Sequence, residues 1–288
     1  MRWSQSLWLM WCCSLSLAAA PQTSKTDKQS NAADCPAQLS MAYNANWLPY
    51  VAVTSKASTD KTSAPLQAEP FNQSLEHTTT DLVTGTDIEL IRQIVSAVGS
   101  RLTLQFVPET RALQQLKHGQ VDLVFAASYT PIRAEYAWFS EPYRHEVNVV
   151  VVHPELLQLY PELSDRSAFF QLALRKLIGT YNPTGFYGDE FELLKQNGQV
   201  SKRSLFVFEA ERRLELVQGK RADYALVDQA ATEYQWQQHS QPSNLVFLPF
   251  AVNRAAIHVM ASKQRVSATC MAQIDAEIKR KIGSFSKK

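Results

Sequence analysis

The first constraint on this chain is an alternation of two hydrophobic periods. Leu102-Thr103-Leu104-Gln105-Phe106-Val107 repeats every second residue and predicts a strand. Arg111 to His118 turns Leu113 and Leu116 inward and predicts a short helix stopped by Gly119. Val121-Asp122-Leu123-Val124-Phe125-Ala126 reads as a buried strand. Ahead of these, Leu39–Ala42 predicts a short strand and Gly85-Thr86-Asp87 opens a helix that Thr86 or Asp87 can cap. Ile88, Ile91, Ile94, Val95 and Val98 form its apolar stripe, and Gly99 ends it. This strand–helix–strand–helix–strand order predicts an α/β domain with a largely parallel sheet.

The style recurs downstream. Glu146 to Val152 reads as a buried strand, and helices are predicted from Ala168 to Lys176, Asp189 to Gln196 and Ala210 to Gln218. Further strands are predicted at Leu205–Phe208, Ala222–Val227, Leu245–Phe250 and Ile257–Ser262. Ser267 to Ile282 closes the chain as a helix with Met271, Ile274, Ile278 and Ile282 on one face. The 288 residues, 45% hydrophobic, suffice for one large domain or two of about 100–150 residues each. Lys+Arg is 29 against 27 Asp+Glu, so no global basic field exists for nucleic acid or anionic lipid.

The N-terminus reads as a targeting segment. Arg2 precedes an apolar run from Leu7 to Ala20 that closes on Ala18-Ala19-Ala20, the pattern of a secretory signal peptide over residues 1–20. Cleavage after Ala20 or after Ala19 fits. Trp11 occupies the position where a small residue would precede a lipidated Cys12 or Cys13, which favours a soluble periplasmic product. A polar lead-in follows over residues 21–34, and residues 54–84, rich in Ser, Thr, Lys, Gln and Pro, read as a long surface insertion. The mature chain keeps two cysteines, Cys35 and Cys270, and an even pair in an exported protein predicts a disulfide.

An ordered set of motifs resembles one family. Gly85-Thr86-Asp87-Ile88-Glu89-Leu90 is similar to the "GFDIEL" helix opening of bacterial extracellular solute-binding proteins of family 3, the polar amino-acid binders of ABC importers. Pro108-x-x-Arg111-Ala112-Leu113 with Leu116-Lys117-His118-Gly119-Gln120-Val121-Asp122 resembles "PWxRAL…LKxGxVD". Thr130-Pro131-Ile132-Arg133 with Phe139-Ser140-Glu141-Pro142-Tyr143 resembles "TxxR…FSxPY". Gly219 to Asp228 resembles "GRxDAxxxD", and His258 to Lys263 resembles "xxAxSK". The resemblance implies a two-lobed type II periplasmic binding fold, each lobe a mostly parallel sheet flanked by helices, joined by two crossing strands. Lobe 1 would span 35–148 plus 250–288 and lobe 2 would span 149–249, which puts Cys35 and Cys270 in the same lobe. The implied protein is a monomer that works without a cofactor, binding a small-molecule ligand for an inner-membrane ABC permease or a membrane sensor.

The binding chemistry follows from the ligand. A free amino acid sealed in a cleft carries a carboxylate and an ammonium out of water, and each needs a partner. Arg133 matches the family's carboxylate-binding arginine, whose planar fork donates two parallel hydrogen bonds. Asp228 matches the ammonium acceptor, and Ser128 fits a further contact to the carboxylate. Asn182 and Thr184 stand before a helix, where backbone amides suit the carboxylate's other side. Trp47 and Tyr50 match an aromatic wall. Each has an ordinary alternative: a solvated surface charge for Arg133, a helix cap for Asp228, plain core for Trp47.

Two departures concern the ligand. Asn44 stands where binders of cationic amino acids carry Asp, which argues against a cationic side chain. Glu109 stands where many relatives carry an aromatic, and restores a carboxylate if it points into the cleft. The fold also resembles that of periplasmic dehydratases acting on prephenate-like acids. Glu109 or Asp228 would serve as a general acid only if burial raised its pKa. No nucleophile–His pair, phosphate-binding glycine loop or zinc-ligand spacing appears, so a binding protein is favoured over an enzyme.

Overall fold

The computed structural model describes residues 35–43, 47–54, 83–238 and 244–285. The expected signal peptide, the lead-in, Asn44 and residues 55–82 of the insertion lie outside the described residues.

The N-terminal part runs β1 (Gln38–Tyr43), β2 (Ala52–Val53), β3 (Val83–Thr84), α1 (Thr86–Ala97), β4 (Arg101–Phe106), α2 (Glu109–Lys117) and β5 (Leu123–Ser128). It continues through α3 (Pro131–Tyr136), β6 (Ala137–Phe139) and β7 (Arg144–Val152). Next come α4 (Pro154–Leu159), α5 (Arg166–Arg175), β8 (Gly179–Tyr181), α6 (Asp189–Gln196), α7 (Gly198–Arg203), β9 (Leu205–Phe206), α8 (Ala210–Gln218), β10 (Tyr224–Asp228) and α9 (Gln229–Gln238). The described chain ends with β11 (Val246–Ser262) and α10 (Ala268–Phe285).

Strands order β4-β1-β5-β11-β7-β10-β8-β9 in one sheet, with β6 on β11. The sheet as a whole is mixed: each end is parallel, as expected, and the long strands β7 and β11 between them run antiparallel to their neighbours. β1 pairs parallel with β4 and β5, and β8 pairs parallel with β10 and β9. β11 runs antiparallel to β5, β6 and β7, and β7 antiparallel to β10. The reason lies in β11. Residues 245–262 read as two strands in the sequence, with Asn253-Arg254 breaking the apolar pattern between them. In the fold they form one 17-residue strand whose partner β7 supplies hydrogen bonds through register shifts at Phe247/Ala251 and Ala251/Asn253.

The buried side chains fall into two groups along this sheet. One gathers Leu39, Met41, Ile88, Ile91, Leu123, Val259 and Ile274, with Ala42, Leu116 and Met260 on the other face. The second gathers Val150, Val152, Phe169, Phe191, Tyr224 and Leu248, with Val149, Val217 and Val227 opposite. β11 gives its first half to the second group and its last half to the first, so β7 and β11 tie the two together.

Cys35 and Cys270 form a disulfide with a Cα–Cα distance of 4.7 Å, joining the start of β1 to α10. The antiparallel pair β2–β3 brackets residues 55–82, so that segment leaves and returns at adjacent strands.

The opening of α1 differs from its sequence reading. Neither Thr86 nor Asp87 caps the helix; Gly85 holds that position without a side-chain bond. Asp87 instead turns inward, taking hydrogen bonds from Tyr143 Oη (2.7 Å) and Arg144 Nε (3.0 Å). Gly85 has φ +117°, and a Cβ there would sit 2.3 Å from the Tyr50 carbonyl oxygen. Gly85→Ala is therefore expected to cost about 3 kcal/mol through strain and backbone clash. The check is a fall in the urea midpoint at unchanged slope, and a midpoint equal to wild type would refute it.

Candidate functional site

A cavity of about 480 Å³ lies between the two core groups. That volume is in the range of sites that enclose small molecules. Its walls come from the starts of α2 and α8, the end of β5, α3, the loop after β8, and the floor strands β7 and β10.

Arg133 lies in α3, a six-residue helix begun by Pro131 and capped by Thr130 Oγ1, which accepts the Arg133 amide. Its guanidinium donates to the Ser128 carbonyl (3.1 Å) and, from the opposite wall, to the Thr184 carbonyl (3.0 Å). Both partners are neutral, and burial lowers the Arg133 pKa below its ordinary value. The cation thus faces the cavity with no carboxylate bonded to its Nη atoms among the described contacts.

Asp228 ends β10 on the opposite side. Its Oδ1 accepts from Tyr50 Oη (3.0 Å) and from the Ala231 amide (2.7 Å), so it does cap α9 as well as line the cavity. Its Oδ2 is buried and makes no hydrogen bond. Burial raises the Asp228 pKa, while the Ala231 amide, Arg144, Tyr50 and the Val147 amide pull it back.

Trp47 lines the cavity. Tyr50 stands behind it, edge to face at 4.9 Å, and is spent on supporting Asp228. The expected amide site at Asn182 and Thr184 is corrected by the structure. The Thr184 amide donates to Asn182 Oδ1 (3.0 Å), the Asn182 amide to Tyr187 Oη (3.0 Å), and the Gly185 amide to the Asn182 carbonyl. These donors are consumed inside the turn. The side chains instead reach across the cavity: Asn182 Nδ2 donates to both Glu109 oxygens (2.8 Å each), and Thr184 Oγ1 bonds the same carboxylate. Glu109 therefore does point into the cleft. Ser128 contributes its carbonyl, to Arg133.

The sequence reading missed the floor. Glu146 and Asn148 line the cavity from β7, where Asn148 pairs with Asp228 across the ladder. Arg144 sits two residues earlier, its guanidinium 3.9 Å from the Tyr50 ring centre. Burial opposes the Arg144 charge, but Tyr143, Asp87 and Glu146 outweigh it and raise its pKa. Burial raises the Glu146 pKa, and Asp228 raises it further. The signal was available: Arg144, Glu146 and Asn148 are polar at every second position, and Val147 and the run from Val149 to Val152 are apolar. Among the described residues no cluster of His, Cys, Asp and Glu could hold a metal ion.

The profile of the bacterial extracellular solute-binding proteins, family 3, matches residues 64–228. The chain belongs to that family. Its fold is the type II periplasmic-binding-protein arrangement, an α/β fold with a mixed sheet flanked by helices. Among solved structures, a histidine kinase sensor domain with similarity to periplasmic binding proteins has TM-score 0.63 and 16% identity, covering 87% of this chain and 93% of that one. The amino acid ABC transporter substrate-binding protein AbpA from Streptococcus pneumoniae, bound to L-arginine, has TM-score 0.62 and 17% identity over 87% and 92%. The ancestral amino-acid-binding protein AncCDT-1, a precursor of cyclohexadienyl dehydratase, has TM-score 0.59 and 15% identity over 87% and 92%. Among curated proteins none matches the chain. Such low identities speak for the fold of this family 3 protein and leave its ligand to its own residues.

Proposed function

We propose that this family 3 protein is an exported solute receptor that captures a small polar ligand, an α-amino acid, in this cavity for ABC-type import. The observation that carries the reading is the opposition of a cation and an anion across one cavity. Arg133 presents a guanidinium bonded to neutral carbonyls from one wall, and Asp228 places a carboxylate in the lining opposite. A zwitterion's carboxylate and ammonium complete both, and each charge-assisted bond formed out of water contributes about 1.5–3 kcal/mol. Trp47 supplies an apolar wall.

We further propose that residues 35–148 plus 250–288 form one lobe and 149–249 the other, with closure about β7 and β11. A ligand that touches both walls only when they approach shifts the protein toward the closed state. The bonds from Arg133 and Glu109 to Asn182 and Thr184 are contacts of that state.

The test is a thermal-shift screen of the purified chain against amino acids, small organic acids and polyamines. A native-state ligand raises the melting temperature with concentration, by about 2.7 kcal/mol of stability at a hundredfold excess over Kd. A shift with an α-amino acid and none with its decarboxylated amine is the expected result. No shift with any amino acid would overturn the reading. The likeness to a histidine kinase sensor domain favours one second reading, in which the same capture is reported to a membrane receptor rather than a permease.

A further inference from the structure

We infer that the cavity selects an α-amino acid with a cationic side chain, whose second positive charge is held by Glu146 together with Asp228. The inference rests on the amino-acid reading above and specifies its ligand.

Glu146 and Asp228 project from neighbouring strands. Asp228 pairs with Asn148, and Glu146 lies two residues before Asn148, on the same face of β7. Both line the cavity. Asp228 is 6% exposed, and its Oδ2 makes no hydrogen bond. Glu146 Oε1 accepts from Asn148 Nδ2 at 2.6 Å, but Oε2 has only Arg144 Nη1, at 3.5 Å. Arg144 is committed more closely to Asp87, at 3.0 Å. Asp87, Glu146 and Asp228 thus share the charge of Arg144, with Glu146 and Asp228 lining the cavity and Asp87 behind it.

Surplus negative charge out of water is costly unless a cation or a proton meets it. Burial raises the pKa of both Glu146 and Asp228, as expected of carboxylates short of a counter-charge. The α-ammonium of a neutral amino acid supplies one positive charge, and a cationic side chain supplies a second. Arg213, the other lining guanidinium, cannot: it is spent on the carbonyls of Leu226, Val207 and Phe208. Glu109 stands on α2 with its carboxylate bonded by Asn182 and Thr184, whereas Glu146 and Asp228 stand together on the floor strands. A diamine would match the floor but leave Arg133 without an anion. The carboxylate that Asn44 lacks is therefore supplied from β7.

The experiment is calorimetric titration of the purified chain with L-arginine, L-ornithine, L-citrulline, L-glutamate and putrescine. Citrulline has nearly the shape of arginine without the charge. The expected result is that arginine or ornithine binds at least about tenfold tighter than citrulline, a difference of about 1.4 kcal/mol. In Glu146→Gln the ratio should fall to within about threefold, which separates charge recognition from shape. Citrulline binding as tightly as arginine, or glutamate binding more tightly, would overturn this inference and leave the amino-acid reading standing. Preference for putrescine over every amino acid would overturn both, as would binding of none of the five together with no hit in the wider amino-acid screen. Should Glu146→Gln fail to fold by its melting curve, the wild-type arginine-to-citrulline ratio decides alone.

Discussion

Arg133→Ala is expected to weaken amino-acid binding by about a hundredfold or more, because it removes the ligand carboxylate's charged partner. A charge-assisted pair in a site shielded from water contributes about 3–5 kcal/mol when one partner is deleted, since the other is then stranded. The Arg133 side chain is held on its own wall by the Ser128 carbonyl, five residues earlier. Little rotamer entropy remains to be lost on binding. Arg133→Lys should recover only part of the affinity, since an ammonium keeps the charge and loses the planar fork. Titration of the alanine variant with the ligand found in the screen checks this. Affinity within about threefold of wild type, in a variant that melts cooperatively, would remove Arg133 from the site.

Reducing the Cys35–Cys270 bridge is expected to lower stability by about 4 kcal/mol. The two cysteines are 235 residues apart in sequence; the loop-entropy account gives about 5.5 kcal/mol for such a closure, and bridges typically deliver somewhat less. For a chain of this size that corresponds to a fall on the order of 10 °C in Tm. Cys35 and Cys270 are 3% and 0% exposed, so reductant reaches them through opening of the fold. The comparison therefore needs a preparation unfolded, reduced and refolded, with free thiols counted. A melting curve unchanged in the reduced protein would remove the bridge as a source of stability.

Much of the architecture was legible where local chemistry decides it. The bounds of α6 and α8 follow from an apolar stripe beginning after Gly188 and ending at Gly219, respectively. The order of elements was legible for the same reason, and the cysteine pair was legible from its even count in a chain read as exported. What was hidden depends on partners distant in sequence. Asp87 has the local appearance of a helix cap, yet Tyr143 and Arg144, 56 and 57 residues on, turn it inward. The amides after β8 look free in sequence and are consumed by Asn182 and Tyr187 once the turn forms. The single span of β11 depends on β7, a strand about 100 residues earlier. Of the binding candidates, Arg133, Asp228, Trp47, Glu109, Asn182 and Thr184 come together around the cavity, while Tyr50 supports it from behind. Glu146 and Asn148 went unread because the β-branched run that follows them dominates the pattern of β7. The short helix α3 was also passed over, although Thr130-Pro131 is an ordinary cap and first turn.

The polar stripe of β7 has a further consequence. Glu146 pairs with Ala255 and Asn148 with Asn253, beside the register shift in β11. If closure turns about these two strands, the groups that weigh the ligand's charge are mounted on the axle itself. Sensing and motion would then need no relay between them.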